Sequence, residues 1–385
     1  MSAINQAKDA DLAWAEHLIW MEGGEAPEPR PRNQLWIGIA LALATAVVAW
    51  ATREAASHHF AETARWLDPV LIAMMLGLFW GWIDRAGRFL SGMNAAVRWF
   101  LPTGIVLLGA RLDVFAVAKL GALGVAASLV VIGFAVGLSL CLGRLWRVDR
   151  KLALLLGFGT GICGGTAIVA MAPLLKASRS AILLCVAVVT LVGFVLMLAL
   201  PLIGSLFGWE PALLGWVAGL GIQQTPQAIA AGFAFHLESG EIATLAKLSR
   251  ILWLGPLLIG LGWWLGRGER SGQKVLLRSK RWYQIMPGFV LGFALLAGLV
   301  SIGWIPEVAL SFRRLDSPIQ INLSAALASL SSFCLIVAMV GVGYQTRLDQ
   351  IPREAGRALM LVALVSTALV VLITLIAQPL IDATR

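Results

Sequence analysis

Charge is what this sequence has least of. Asp, Glu, Lys and Arg together make 13% of its 385 residues, against 59% hydrophobic. With a mean hydropathy of +0.84, that deficit excludes a tandem of soluble domains, in which about a quarter of residues carry charge. Cysteine is scarce as well. Cys141, Cys163, Cys185 and Cys334 all fall within apolar blocks and show no CxxC spacing. They read as buried small hydrophobes, and a disulfide framework or cysteine metal site is excluded. The four histidines, His17, His58, His59 and His236, make no HxxxH pattern, so no metal is expected. Walker, kinase and GxSxG strings are missing, as is any nucleophile–base constellation. The expectation is a protein that is not an enzyme, takes no cofactor and is not an ATP-driven pump. No cleavable signal peptide is expected, because the first 33 residues are polar and the first apolar block is long.

What the chain does have is apolar blocks of 18 to 28 residues, each long enough to cross a hydrocarbon layer of ~30 Å as a helix. Eleven are expected, at 34–52, 68–84, 94–111, 115–142, 152–176, 179–204, 211–235, 241–266, 284–305, 318–343 and 355–381. The fold class is therefore an all-α polytopic membrane protein. Residues 1–33 form a separate segment, with a short amphipathic stripe at Asp11–Met21 and a proline-rich linker at Glu25–Arg32. Residues 34–385 form the transmembrane domain. The net charge of +9 is spread over short loops with no basic, aromatic-interleaved face, so lipid is the expected partner and nucleic acid is not. Lys and Arg number 18 on the side of the N-terminus and 9 on the other. That bias puts the N-terminus in the cytoplasm and the chain in a bacterial inner membrane.

Two of these blocks carry breaks. Gly157–Pro173 (GFGTGICGGTAIVAMAP) has five glycines and two threonines, and Gly219–Gly232 (GLGIQQTPQAIAAG) has three glutamines and a Thr-Pro. Gly costs a helix interior ~1 kcal/mol and Pro ~3, and unwound backbone at membrane depth is tolerated only against protein or a watery cavity. Discontinuous helices at the midplane are how many secondary transporters build a substrate site, and a half-helix start suits an anion. For the glycines, close helix packing through the Gly157, Gly161, Gly165 spacing is an equal alternative. For Gln223, Gln224, Thr225 and Gln227 it is a poor one. The expected binding residues are Thr160, Gly161, Ile162, Cys163, Gly164, Gly165 and Thr166 at the first break, and Gln223, Gln224, Thr225 and Gln227 at the second.

Lys247 and Arg250 share a helical face in the eighth block, and cations within a span point to function by default. They are expected to offset the charge of an anionic substrate, with snorkelling of Lys247 as the alternative. Arg98 is either mid-span or an interface anchor. Arg111-Leu-Asp113 and Arg347-Leu-Asp349 each follow a small-residue helix end, which suggests an internal duplication.

Four segments, GIVLLGARLD at 104–113, TGICGGTAIVAMAP at 160–173, AKLSRILWLGPL at 246–257 and AMVGVGYQTRLD at 338–349, resemble the YeiH-like sulfate exporter family of bacterial membrane proteins. That family is similar to the wider bile-acid, arsenite and riboflavin transporter group. The resemblance implies two inverted five-helix repeats, spans 2–6 and 7–11, with the fourth helix of each discontinuous at the midplane. The first break falls where it should. The second repeat would open in span 10, at 329–334, although the more polar break lies in span 7. The resemblance further implies a secondary transporter that exports sulfate or a related sulfur oxyanion or sulfonate by alternating access. Rival readings are a sodium-coupled uptake symporter for organic anions and a membrane sensor without transport. A homodimer is compatible with all three.

Overall fold

The computed structural model describes residues 32–59, 68–84, 87–111, 114–266, 288–302, 308–310, 319–321, 323–346 and 355–382. The N-terminal segment with its amphipathic stripe and the basic 267–281 loop fall outside them. In chain order the helices are α1 Arg32–His59, α2 Pro69–Ile83, α3 Leu90–Leu108, α4 Val114–Leu145, α5 Arg150–Gly161, α6 Gly165–Leu175, α7 Arg179–Leu206, α8 Pro211–Gly221, α9 Thr225–Phe235, α10 Leu237–Leu252, α11 Leu254–Gly266, α12 Gly288–Ser301, α13 Leu323–Gln345 and α14 Gly356–Asp382. A two-stranded antiparallel ribbon, β1 Val308–Leu310 and β2 Ile319–Ile321, precedes α13. Span 10 was expected from 318; the strand occupies its first residues, and the helix begins at Leu323.

Local chemistry sets the helix starts. Asp68 caps α2 by accepting from Val70 N at 2.7 Å, with Pro69 in the first turn. Asp149 caps α5 by accepting from Lys151 N at 3.0 Å, and Ser178 caps α7. The helical body is a membrane protein by length and composition. Among the described residues, seven helices are long and apolar enough to cross, and α2, α6, α8 and α12 are shorter apolar helices.

The largest departure from expectation is in spans 5 and 7, which break where foreseen and then turn back. A Cβ on Gly215 of α8 would lie 2.9 Å from the Ser239 carbonyl oxygen, and one on Gly232 of α9 would lie 2.8 Å from the same atom. Ser239 Oγ donates to the Pro211 carbonyl at 2.6 Å. On the α7 side, a Cβ on Gly204 would meet Leu214 Cδ1 at 2.6 Å and Phe235 Cε2 at 3.2 Å. The start of α8 and the end of α9 are therefore neighbours, as only a folded-back hairpin allows. At the first break the arms α5 and α6 also fold against each other beside the tip, where Gly159 sits 2.7 Å (from its would-be Cβ) from Ile168 Cδ1. An arm of 11 residues is ~16 Å long, about half of the hydrocarbon layer.

Span 10 is an unbroken helix, contrary to the opening expected at 329–334. Its serines tie helices together instead. Ser331 Oγ donates to the Gly104 carbonyl at 2.7 Å, and Arg111 bonds the Ala328 carbonyl and Ser332 Oγ at 2.8 and 3.0 Å. At the other end of α13, Tyr344 Oη donates to Asp84 Oδ2 at 2.7 Å. Of the cysteines, Cys163, Cys185 and Cys334 are buried, whereas Cys141 is exposed on α4, because that face of the helix has no protein neighbour.

Candidate functional site

The two hairpin tips are built from matching sequence. Gly159-Thr-Gly-Ile162 and Gly219-Leu-Gly-Ile222 are 60 positions apart. Each is followed by a three-residue break, Ile162–Gly164 or Ile222–Gln224, before the second arm starts. Gly164 has φ +75° and ψ −123°, a conformation that only glycine adopts without strain. Gln224 is extended and Pro226 sits in the first turn of α9, where its missing N–H is no loss. The tips touch: a Cβ on Gly164 would be 2.8 Å from Gln224 Cγ.

Four helix ends therefore meet deep in the protein. The incoming arms α5 and α8 present carbonyls, each end carrying about half a negative charge, and the outgoing arms α6 and α9 present N–H groups with about half a positive charge. Lys247 and Arg250, both 0% exposed, serve the carbonyl ends. Arg250 donates from Nε to Gly161 O at 2.9 Å and from Nη2 to Thr160 O at 2.5 Å, both on the first hairpin. Its Nη1 donates to Leu220 O at 2.5 Å and Ile222 O at 3.1 Å on the second. Lys247 Nζ donates to Ile222 O and Gln223 O at 2.6 and 2.5 Å. Neither cation is in the wall of the neighbouring cavity. They stand behind the breaks, holding the two hairpins to each other.

The amide ends face a cavity of about 300 Å³. Of the residues expected from sequence, Cys163, Thr166, Gln224, Thr225 and Gln227 line it. Thr160 and Gly161 instead supply carbonyls to Arg250. Ile162 is fully buried in the core, and Gly164 and Gly165 form the turn and the first residue of α6. Gln223 faces away, its Nε2 donating to Ser366 Oγ of α14 at 2.5 Å. Gln227 Nε2 donates to the Thr190 carbonyl at 3.0 Å and Gln224 Nε2 to Thr190 Oγ1 at 2.6 Å. The Oε1 atoms of Gln223 and Gln227 and Thr160 Oγ1 are buried without hydrogen-bond partners.

Sequence reasoning missed the apolar lining residues and three polar ones, Thr190, Gln345 and Thr346, and left Arg98 undecided; the structure puts Arg98 in the cavity wall. Gln345 Nε2 also donates to Asn94 Oδ1 at 2.7 Å, joining α13 to α3 beside the site. One signal could have found Thr190. It precedes Arg250 by the same 60 positions that separate the two tips, so it occupies the equivalent place on α7.

Residues 37–362 match the model of a family described as conserved hypothetical protein 698. A UPF0324 membrane protein of Brucella melitensis is 33% identical over 292 residues, covering 75% of this chain and 79% of its own. The UPF0324 membrane protein TauZ of Paracoccus pantotrophus is 32% identical over 341 residues, covering 86% and 92%. A UPF0324 membrane protein of Bacillus cereus is 28% identical over 316 residues, covering 82% and 86%. No solved structure matches the chain. By its helices and by these relatives, the chain belongs to the conserved hypothetical protein 698 family of UPF0324 membrane proteins.

Proposed function

We propose that this protein is a secondary transporter of a small anion, of the sulfate, sulfur-oxyanion or sulfonate class, that exports its substrate across the bacterial inner membrane by alternating access. One observation carries the reading: the charge at the centre does not balance. Arg250 brings one positive charge, and Lys247 a second when it is protonated. The carbonyl ends that they hold offset about one, and the two amide ends add about one back. None of the residues lining the cavity is acidic. A surplus of about one to two positive charges within a low-dielectric layer is costly without a counterion, and an anion at the amide ends supplies it. No catalytic constellation enters this reading, so the protein is proposed as a non-enzyme without cofactor.

Sodium coupling at the tips is disfavoured by occupancy. The break carbonyls that would ligate sodium, on Thr160, Gly161, Leu220, Ile222 and Gln223, already accept from Arg250 or Lys247. The resemblance to the YeiH-like exporters supports the same direction of reading.

We further infer an inverted repeat in permuted order, in place of spans 2–6 followed by 7–11. One unit is α2, α3, α4, the first hairpin and α7; the other is α12, α13, α14, the second hairpin and α10–α11. Three relations support it. The tips repeat at 60 positions, and Arg-Leu-Asp follows both α3 and α13 in the sequence. Gly81 of α2 packs on Tyr344 O of α13, and Gly109 after α3 packs on Phe293 O of α12, both at 2.5 Å from the would-be Cβ. Gly161 meets Ala135 Cβ of α4 at 3.2 Å, and Gly221 meets Val370 Cγ2 of α14 at 3.5 Å. The hairpins then enter from opposite faces and nine helices cross. This topology moves Lys176 and Arg179 to the N-terminal side, and the Lys and Arg counts become 20 against 7. The stronger bias supports a cytoplasmic N-terminus.

The test is anion flux in proteoliposomes of purified protein, with sulfate, short sulfonates and carboxylates inside and an imposed gradient, with and without sodium. Protein-dependent, sodium-independent efflux of at least one of these anions is expected. Absence of both flux and binding for all of them removes the transporter reading.

A further inference from the structure

The cavity wall has a polar part and a larger apolar part. Its polar side chains come from the hairpin tips, Thr190 on α7, Arg98 on α3, and Gln345 and Thr346 at the end of α13. The remainder is apolar: Leu101 and Ile105 on α3, Ile251 and Leu254 on α10 and α11, Phe289 on α12 and Val342 on α13. Two features point to a built site on the polar side. The starts of α6 and α9 converge there, and the guanidinium of Arg98 stands in the wall. The apolar side chains have no donor to replace a hydration shell, and Gln345 and Thr346 already donate to Asn94 Oδ1 and the Val342 carbonyl.

A bare inorganic oxyanion is hydrated on every side. Seated here, it would exchange water for amides and hydroxyls on one face, and on the other would lose water to Leu101, Ile105 and Phe289 with no donor in return, a cost of the kind that burial of unpaired polar groups carries. It would also leave much of the space empty. A volume of about 300 Å³ is about ten waters at ~30 Å³ each, while sulfate has only five heavy atoms. An anion that carries a short apolar tail meets both walls. Its head takes the N–H groups of the α6 and α9 starts, with the hydroxyls of Thr166 and Thr225. Its tail lies against the α3 and α12 side chains.

Resting on the transporter reading, we propose that the substrate is an amphipathic organic anion, an oxyanion head on an apolar tail of about two to four carbons, rather than an inorganic oxyanion. The head and the tail meet different side chains, so they can be varied separately.

The experiment measures Kd by calorimetry or thermal shift on the purified full-length protein, with methane-, ethane-, propane- and butanesulfonate, sulfate, and the matching n-alkanols at constant ionic strength. Affinity is expected to rise about fourfold per methylene, the ratio that ~0.8 kcal/mol per buried CH2 gives, with the alkanols far weaker at every length. Leu101→Ser and Phe289→Ala should each flatten the slope. Should one of these variants misfold, the wild-type series decides alone. Sulfate binding as tightly as butanesulfonate, or a flat series, overturns the proposal and leaves anion transport standing. Binding of alkanols as strong as of sulfonates overturns it too, since the head would then play no part. Failure of every anion to bind removes the transporter reading itself, and this proposal with it.

Discussion

Arg250 Nε lies 2.9 Å from the carbonyl oxygen of Gly161, 89 positions away on the opposite hairpin. The same guanidinium reaches Leu220 O and Ile222 O on the other tip. One planar cation thus holds the helix ends of two hairpins, which a point charge on a flexible stem cannot do equally. Arg250→Ala should leave at least three buried carbonyls, of Thr160, Gly161 and Leu220, short of a donor, at about 1–3 kcal/mol each before water compensates. A fall in Tm of about 10 °C or more is expected in detergent. Arg250→Lys should recover less than half of it, and millimolar guanidinium should raise the melting point of Arg250→Ala but not of the wild type. Equal melting of Arg250→Ala and the wild type would deny the contact its role.

Gly193 of α7 separates binding from packing. A Cβ there would run into Gln227 Oε1 and lie 2.8 Å from Gln223 Oε1, the far ends of side chains at the site. Gly343 of α13 is crowded by backbone instead, against Met74 O and Leu78 N of α2. Gly193→Ala is expected to weaken anion affinity about tenfold or more with a Tm change of a few degrees. Gly343→Ala should lower Tm by more and leave the affinity of whatever protein remains folded unchanged. Loss of affinity in Gly343→Ala with none in Gly193→Ala would place the site elsewhere.

The breaks were legible because three glutamines and a Thr-Pro inside an apolar block are poorly explained by packing, whereas the glycines alone fit close helix contacts equally well. The turning back was not. A 25-residue block fits one straight crossing and two half-depth arms equally well, and only the contacts of Gly215 and Gly232 with the same Ser239 carbonyl distinguish them. The charge of Lys247 and Arg250 pointed to the site, but sequence does not tell whether an N–H donor meets a substrate or a helix end. Span 10 misled in the opposite direction: Ser331 and Ser332 suggested an opening, and they bond to α3 and to their own helix turn. Arg98 depended on where a helix starts, the least determined quantity in a pattern reading. Thr190 carried no signal of its own, and only its 60-position relation to Arg250 gives it a counterpart.

Asp68, the residue that caps α2 from before its first turn, gives the fold a pH dependence. Burial pushes its carboxyl up to about 6, against the lowering effects of Val70 N and of Arg53 at 3.8 Å. The unfolded value is about 3.9. Because the folded pKa is the higher, the protonated form is favoured by folding. This contribution is complete below about pH 4 and is lost as pH rises through 6, by at most about 3 kcal/mol. Melting curves from pH 4 to 8 should decline over that window for the wild type. Asp68→Asn keeps a capping side chain and should remove this part of the decline. A decline of the same size in Asp68→Asn would assign it to other groups.

The hairpins make a topological prediction that a straight crossing reverses. If α5 and α6 return to the face they came from, the turn at Lys176 lies on the same side of the membrane as the α4–α5 loop at Arg147. The α7–α8 turn at Glu210 then lies on the opposite side. With straight crossings the two turns exchange sides. In a cysteine-free background, Lys176→Cys, Arg147→Cys and Glu210→Cys can be probed one at a time with a membrane-impermeant maleimide, on intact cells and on inverted vesicles. Arg147→Cys and Lys176→Cys should label in inverted vesicles, and Glu210→Cys in cells. Because Lys176 carries a charge that the bias count needs on the cytoplasmic side, its labelling from outside would dissolve the hairpin, the permuted repeat and the orientation together.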